Sequence, residues 1–214
     1  ELGLSEDALL VAMVANFRPE KDHLTLLCAW REVMATAMEG EIPRYLVFAG
    51  AHQESYSAVL EQAKKLDLLG TVILLGQVDD LSGLLAASDI GVVASRYEGL
   101  SNVIVEYMAS GLPVVATDIP GNREALGHDP RQWGCPVGDS QVLATRLRAL
   151  LCDPELRRQL GERNRKRAAE GFSIDPQDFG SSGFITADRS EHVPNVCDFN
   201  LFQRPADPVF PHTG

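Results

Sequence analysis

In the stretch SRYEGLSNVIVEYMASGLPVVATD, residues 95 to 118, two glutamates stand eight positions apart. Glu98 lies in a loop-like segment, whereas Glu106 sits among Val103, Ile104, Val105, Tyr107 and Met108, where a helix faces a core. A carboxylate taken out of water without partners carries a heavy desolvation cost, so Glu106 requires a donor from the protein or from a ligand. Between the two acids, Gly99 lets the backbone turn tightly and approach a ligand. Ser101 or Asn102 is positioned to cap a helix that runs to about Ser110, closed by Gly111 with Pro113 beyond. The first turn of such a helix offers unsatisfied N–H groups and a positive dipole end, which suit an anion. Glu106 lies one turn past Asn102, on the same side as that end. Two acceptors flanking an anion site fit a molecule with a diphosphate in the middle and hydroxyl-bearing rings at each end.

Positioning these groups is the task of a series of short apolar runs, ALLVAMVAN, RYLVFAG, TVILLG, DIGVVAS and LPVVAT. Their nearly continuous aliphatic and β-branched character predicts strands covered on both faces. Helices are expected over residues 22–38, 53–68, 80–88, 102–110, 121–127, 139–151 and 154–170. The alternation implies an α/β domain built on a doubly wound parallel sheet with right-handed crossovers. Ligands of such sheets bind beyond the carboxyl ends of the strands. The polar segments FRPEKDH, AHQES, QVDD, RYEGLSN and DIPGN all follow a strand, so they converge on one rim.

The chain has 214 residues, of which 45% are hydrophobic and 23% charged, the make-up of an ordinary globular protein. Its net charge of -11 argues against nucleic-acid binding, which draws on clustered Lys and Arg. The four cysteines, Cys28, Cys135, Cys152 and Cys197, show no CxxC or ligand-like spacing and read as reduced thiols of a cytoplasmic protein. No apolar run is long enough for a membrane span, and no basic segment precedes the first apolar one. The absence of an initiator Met suggests a fragment or a processed chain. Residues 1–173 form the expected domain. Residues 174–214 hold five of the twelve prolines and five of the eight phenylalanines without periodicity, and are expected to be an extended or poorly ordered tail.

The block EGLSNVIVEYMASGLPVVATDIPGNREAL resembles the signature of retaining GT-B glycosyltransferases of the large group-1 (family 4) class, whose E-x7-E element is matched by Glu98 and Glu106. The resemblance runs from VANFRPEKDHLTLLCAW through VFAG and VILLGQVDDLSGLLAASDIGVVAS to DPELRRQLGERNRKRAAEGFS, about residues 8 to 173. It implies a Rossmann-like domain corresponding to the C-terminal, donor-binding half of the GT-B fold. By the same resemblance Glu106 matches the acid that accepts from the ribose hydroxyls of the donor. Glu98 matches the acid that holds hydroxyls of the transferred sugar. The amides of Gly99, Leu100, Ser101 and Asn102 match the segment that contacts the diphosphate and sugar. Lys21 matches the lysine that neutralises the diphosphate and supports its departure. The arginine usual five positions before that lysine is Asn16 here, and Arg18 is a candidate source of the missing charge. Gly50, at the end of the second strand, joins Asn16 and Arg18 in the donor-binding set.

Departure of a nucleoside diphosphate builds charge on phosphate, which fixed cations and N–H dipoles stabilise. Such contacts can supply a sizeable share of a typical enzymatic barrier reduction of ~8–23 kcal/mol. The resemblance implies a UDP- or GDP-sugar substrate and no metal cofactor. No DxD suits a metal role, because VDDL at 78–81 reads as a helix start. The implied partner is an N-terminal GT-B half carrying the acceptor groove, and any membrane contact would come through it. A second reading is a non-catalytic nucleotide-sugar-binding or protein-interaction module, towards which Asn16 and the tail lean. Nicotinamide chemistry is disfavoured, since no GxGxxG follows the first strand.

Overall fold

A computed structural model describes residues 4–37, 41–127, 132 and 134–172. Five strands, β1 (Leu9–Val14), β2 (Arg44–Ala49), β3 (Val72–Gly76), β4 (Ile90–Val93) and β5 (Val114–Ala116), form one parallel sheet in the order β3-β2-β1-β4-β5. The connecting helices are α1 (His23–Met34), α2 (Tyr56–Lys65), α3 (Leu81–Ala86), α4 (Asn102–Ala109) and α5 (Pro120–Leu126), followed by α6 (Ser140–Cys152) and α7 (Pro154–Gly171). Every expected strand and helix is present, with boundaries shifted by up to a few residues. The segment expected as a tail lies outside the described residues but for its approach through Phe172.

Period-two alternation in the strands sorts side chains to two cores. Leu9, Val11, Met13, Leu46, Phe48, Ile90 and Val92 face one side, where Leu26, Leu27, Trp30 and Val33 of α1, Val59 of α2 and Leu143, Leu147 and Leu150 of α6 cover them. On the other side Val93, Val114 and Ala116 pack with Ile104, Tyr107 and Met108 of α4, Leu126 of α5 and Ala168 of α7. Leu10, Val47 and Ala49 pack there against Leu84 of α3. Both faces are covered, as the unbroken apolar runs require.

Local chemistry sets the helix starts. The carboxylates of Asp80, Asp139 and Asp153 accept from main-chain amides in the first turns of α3, α6 and α7 respectively. Asp80 in VDDL is thus a helix cap, Oδ1 taking the Gly83 amide at 2.8 Å. α1 starts within a residue of its expected position, and Asp22 is its cap, accepting from the Thr25 amide. Asp22 adopts a left-handed conformation, φ 54°, between a short 3-10 turn at Pro19–Lys21 and α1. Lys21 thus closes the 3-10 turn and lies ahead of α1.

From β1 the chain winds outward through β2 to β3, then returns to place β4 on the other side of β1. The switch in winding direction therefore lies between β1 and β4. These strands pair over only two residue pairs, Val11 with Ile90 and Ala12 with Gly91. Beyond them the Tyr107 hydroxyl stands in for the ladder: it accepts from the Val14 amide at 2.8 Å and donates to the Ala12 carbonyl at 3.2 Å. The seam opens towards the carboxyl edge, where ligands of doubly wound sheets bind.

Candidate functional site

Two loops meet over this opening. The loop after β1 is tied to the loop after β4 by the Arg96 amide, which donates to the Glu20 carbonyl at 2.8 Å. The Arg96 guanidinium also pairs with the buried Asp22 carboxylate at 3.2 Å. Between these ties, Lys21 Nζ forms a short ion pair with Glu98 Oε1. The same oxygen accepts from Ser95 Oγ at 2.8 Å. Glu98 Oε2 takes no protein donor among the described residues. The structure thus brings together the two residues assigned to the reaction, one from each side of the seam.

The segment that follows is rich in uncommitted donors. From Tyr97 to Val103 no main-chain N–H donates to another protein group among the described residues. Ser101 occupies the N-cap position of α4 with extended backbone, but its hydroxyl forms no cap. Either Ser101 or Asn102 was an expected cap; the first holds the position without the bond. The amides at the start of α4 remain available to an anion.

Glu106 lies in the middle of α4, half-buried, with no protein partner among the described residues. Burial raises its pKa above the ordinary carboxylate value. Arg123, the obvious internal partner, is engaged by Asp118. The carboxylate therefore keeps the unsatisfied state that its apolar sequence context implied. Among the described residues it is hydrogen-bonded to neither Lys21 nor Glu98. Its helix is fixed by the neighbouring Tyr107, whose hydroxyl holds Val14.

A cleft of about 290 Å³ opens over the carboxyl ends of β1, β2 and β3, lined by Val14, Asn16, Gly50, Gln77, Val78 and Leu81 among others. Asn16 staples its wall, with Oδ1 accepting from the Ala51 amide at 2.9 Å. Gly50 is required by packing: a Cβ there would stand 2.1 Å from the Ala15 carbonyl oxygen. Arg18 is exposed and donates to Gln53 Oε1 at 2.5 Å, so its charge is met by a neutral amide on the β2 side of the rim.

The tightest approach of protein backbone in this region is not at Gly99. Gly99 is exposed, has no left-handed conformation, and a Cβ on it would meet nothing within 4 Å. Gly121, at the start of α5, is the tight contact: a Cβ on it would stand 1.8 Å from the Gly99 carbonyl oxygen. Sequence reasoning also passed over Ser95, Thr117 and Asn122, three buried polar residues behind the Glu98 loop. Tyr107 was readable in part, because a phenol in an apolar helix needs a partner for its hydroxyl. Among the described residues no group of three or more His, Cys, Asp or Glu side chains is placed to hold a metal, and no helix is long and apolar enough to cross a membrane.

The model of the family described as "Glycosyl transferases group 1" matches residues 1–167. The chain belongs to that family. It is 31% identical over 172 residues to the N-acetyl-alpha-D-glucosaminyl L-malate synthase of Bacillus anthracis, covering 80% of this chain and 44% of the relative. It is 32% identical over 169 residues to the putative glycosyltransferase EpsD of Bacillus subtilis, covering 78% of this chain and 42% of that one. The group 1 chain therefore spans less than half the length of these relatives. Its fold superposes on a crystal structure of Anabaena HepE in complex with UDP and glucose with a TM-score of 0.69 at 24% identity, over 78% of this chain and 45% of that one. The sucrose-phosphate synthase of Thermosynechococcus elongatus gives a TM-score of 0.67 at 27% identity, over 79% and 42% of the two chains. The parallel sheet and its flanking helices are those of this group 1 fold.

Proposed function

We propose that this domain is the donor-binding half of a retaining glycosyltransferase, holding a nucleoside diphosphate sugar across the seam between β1 and β4. The observation that carries the reading is the run of uncommitted amides from Tyr97 to Val103, bounded by the Lys21–Glu98 pair and followed by the unpartnered Glu106. An anion among those amides meets N–H dipoles and a lysine, while hydroxyls on either side find carboxylates. Lys21 would balance the diphosphate and the charge that grows as it departs. Glu98 would hold hydroxyls of the sugar, and Glu106 those of the ribose. The cleft beside Asn16 and Gly50 offers room for the nucleoside end. The structures of Anabaena HepE with UDP and glucose, and of Staphylococcus aureus TarM with UDP among its ligands, lend support to UDP as the nucleotide. In this reading no metal is needed, because lysine and amides supply the positive potential. The acceptor would be bound by a further GT-B half, and the enzyme would work in the cytoplasm.

Isothermal calorimetry with UDP, GDP and their sugars tests the proposal. Saturable heat with one nucleotide family, lost in Glu106→Ala, is the expected result; no heat with any nucleotide overturns it. A second reading, a non-catalytic nucleotide-sugar module, is favoured by Asn16, which stands where the family's arginine is usual and is spent on a loop staple. Co-expression with an N-terminal GT-B half separates the two, since only the first restores transfer.

A further inference from the structure

We infer that Ser95 is the positioning residue of the sugar-site carboxylate Glu98, and that Thr117 and Asn122 hold Ser95 in place for that role; the inference rests on the donor reading above. Four hydrogen bonds, three of them in series, carry it. Asn122 Nδ2 donates to the Thr117 carbonyl at 3.0 Å and to Thr117 Oγ1 at 3.2 Å. Thr117 Oγ1 donates in turn to the Ser95 carbonyl at 2.6 Å. Ser95 Oγ then donates to Glu98 Oε1 at 2.8 Å. The direction of the amide is fixed, because a reversed Asn122 would set its oxygen against the Thr117 carbonyl.

The three residues come from three places: the loop after β4, the end of β5 and the first turn of α5. All are buried, with exposures of 1% for Ser95, 2% for Thr117 and 0% for Asn122. Burying polar side chains at the end of an otherwise aliphatic sheet costs desolvation that Ala or Val would avoid. Asn122 Oδ1 even lacks a hydrogen-bond partner among the described residues. What the series delivers is the orientation of one carboxylate. Gly121 adds a steric limit from behind, since its Cα lies against the carbonyls of Glu98 and Gly99 and leaves no room for a Cβ.

The geometry of Glu98 gives this series its use. Oε1 is clamped by Ser95 and Lys21, while Oε2 is left for another donor. A diphosphate draws Lys21 to itself, because two negative phosphates outbid one carboxylate for the ammonium. Ser95 is then the protein donor still holding Glu98. Without it the carboxylate rotates freely, and a sugar hydroxyl must order it on binding.

Calorimetry on the full chain with matched pairs, UDP with UDP-glucose and GDP with GDP-mannose, tests this. The readout is the ratio of sugar-nucleotide affinity to nucleotide affinity. Ser95→Ala is expected to lower that ratio about tenfold, the size of one hydrogen bond to a charged group, and to leave the nucleotide alone within about twofold. Thr117→Val is expected to lower it in smaller measure, and Thr117→Ser, which keeps the hydroxyl, to restore it. An unchanged ratio in Ser95→Ala, or equal losses for both members of a pair, overturns the inference. Uptake of neither member of any pair by the unmutated chain overturns the donor reading itself, a distinct result.

Discussion

Lys21 and Glu98, 77 positions apart in the chain, neutralise each other across the seam where the sheet changes its winding direction. The pair is partly exposed, with side-chain exposures of 23% and 18%, so solvent screening limits its worth to the fold to about 1 kcal/mol or less. On the donor reading proposed above, its use lies in binding. Glu98→Gln is expected to leave the urea midpoint nearly unchanged. Freed of its carboxylate, Lys21 then serves a diphosphate better, so affinity for the bare nucleotide rises several-fold while preference for the sugar form is lost. Lys21→Ala is expected to weaken both ligands. A bare-nucleotide affinity that falls in Glu98→Gln, by calorimetry, contradicts this account.

On the donor reading, Glu106 sets stability against binding. Its raised pKa means that the folded chain holds a proton more readily than the unfolded one. That cost is absent below the ordinary carboxylate value of 4.5 and appears as pH rises above it. Glu106→Gln is accordingly expected to be the more stable protein at pH 7 and no better at pH 4, while losing nucleotide affinity about tenfold or more. Denaturant titrations at the two pH values, paired with calorimetry, check both halves.

His23 acts in the opposite direction. It is buried at the start of α1, stacked on Phe17 with ring centroids 4.6 Å apart. Burial pushes its pKa down from 6.5 to about 4, with Asp22 favouring the proton and Lys21 opposing it. The folded chain binds fewer protons than the unfolded one between those values, so its stability is full above 6.5 and falls as pH drops towards 4. The loss amounts to about 3 kcal/mol over that window. His23→Phe is expected to flatten this part of the stability profile; an unaltered slope by urea unfolding from pH 7 to pH 4 refutes it.

Tyr107→Phe removes the group that satisfies Val14 N–H and Ala12 C=O where β1 leaves β4. Two main-chain groups lose their partner, so the change is expected to cost about 1–3 kcal/mol. Hydrogen exchange should accelerate first at the Val14 amide. Exchange there as slow as in the unmutated chain counts against the assigned bond.

The strands and helices were legible because each apolar run is covered on both sides, a pattern that composition alone announces. The pairing of Lys21 with Glu98 was not, since it depends on the 3-10 turn and the left-handed Asp22, which no periodicity encodes. Gly99 and Gly121 show the same limit. Sequence draws attention to the glycine inside the motif, whereas the crowding against protein is borne by the one facing it. Glu106 was readable from its misfit alone. The Ser95, Thr117 and Asn122 series was invisible, because three small polar residues in separate segments carry no spacing to recognise.

The seam between β1 and β4 is held by two register pairs, by the bonds between Leu10 and Asp89 and by the Tyr107 hydroxyl, with the Arg96 ties to Glu20 and Asp22 beyond. Lys21 hangs from one bank and Glu98 from the other. On the donor reading, warming or substitution that spreads the banks is expected to blunt nucleotide uptake before the sheet melts, which would make uptake an early thermometer for this joint.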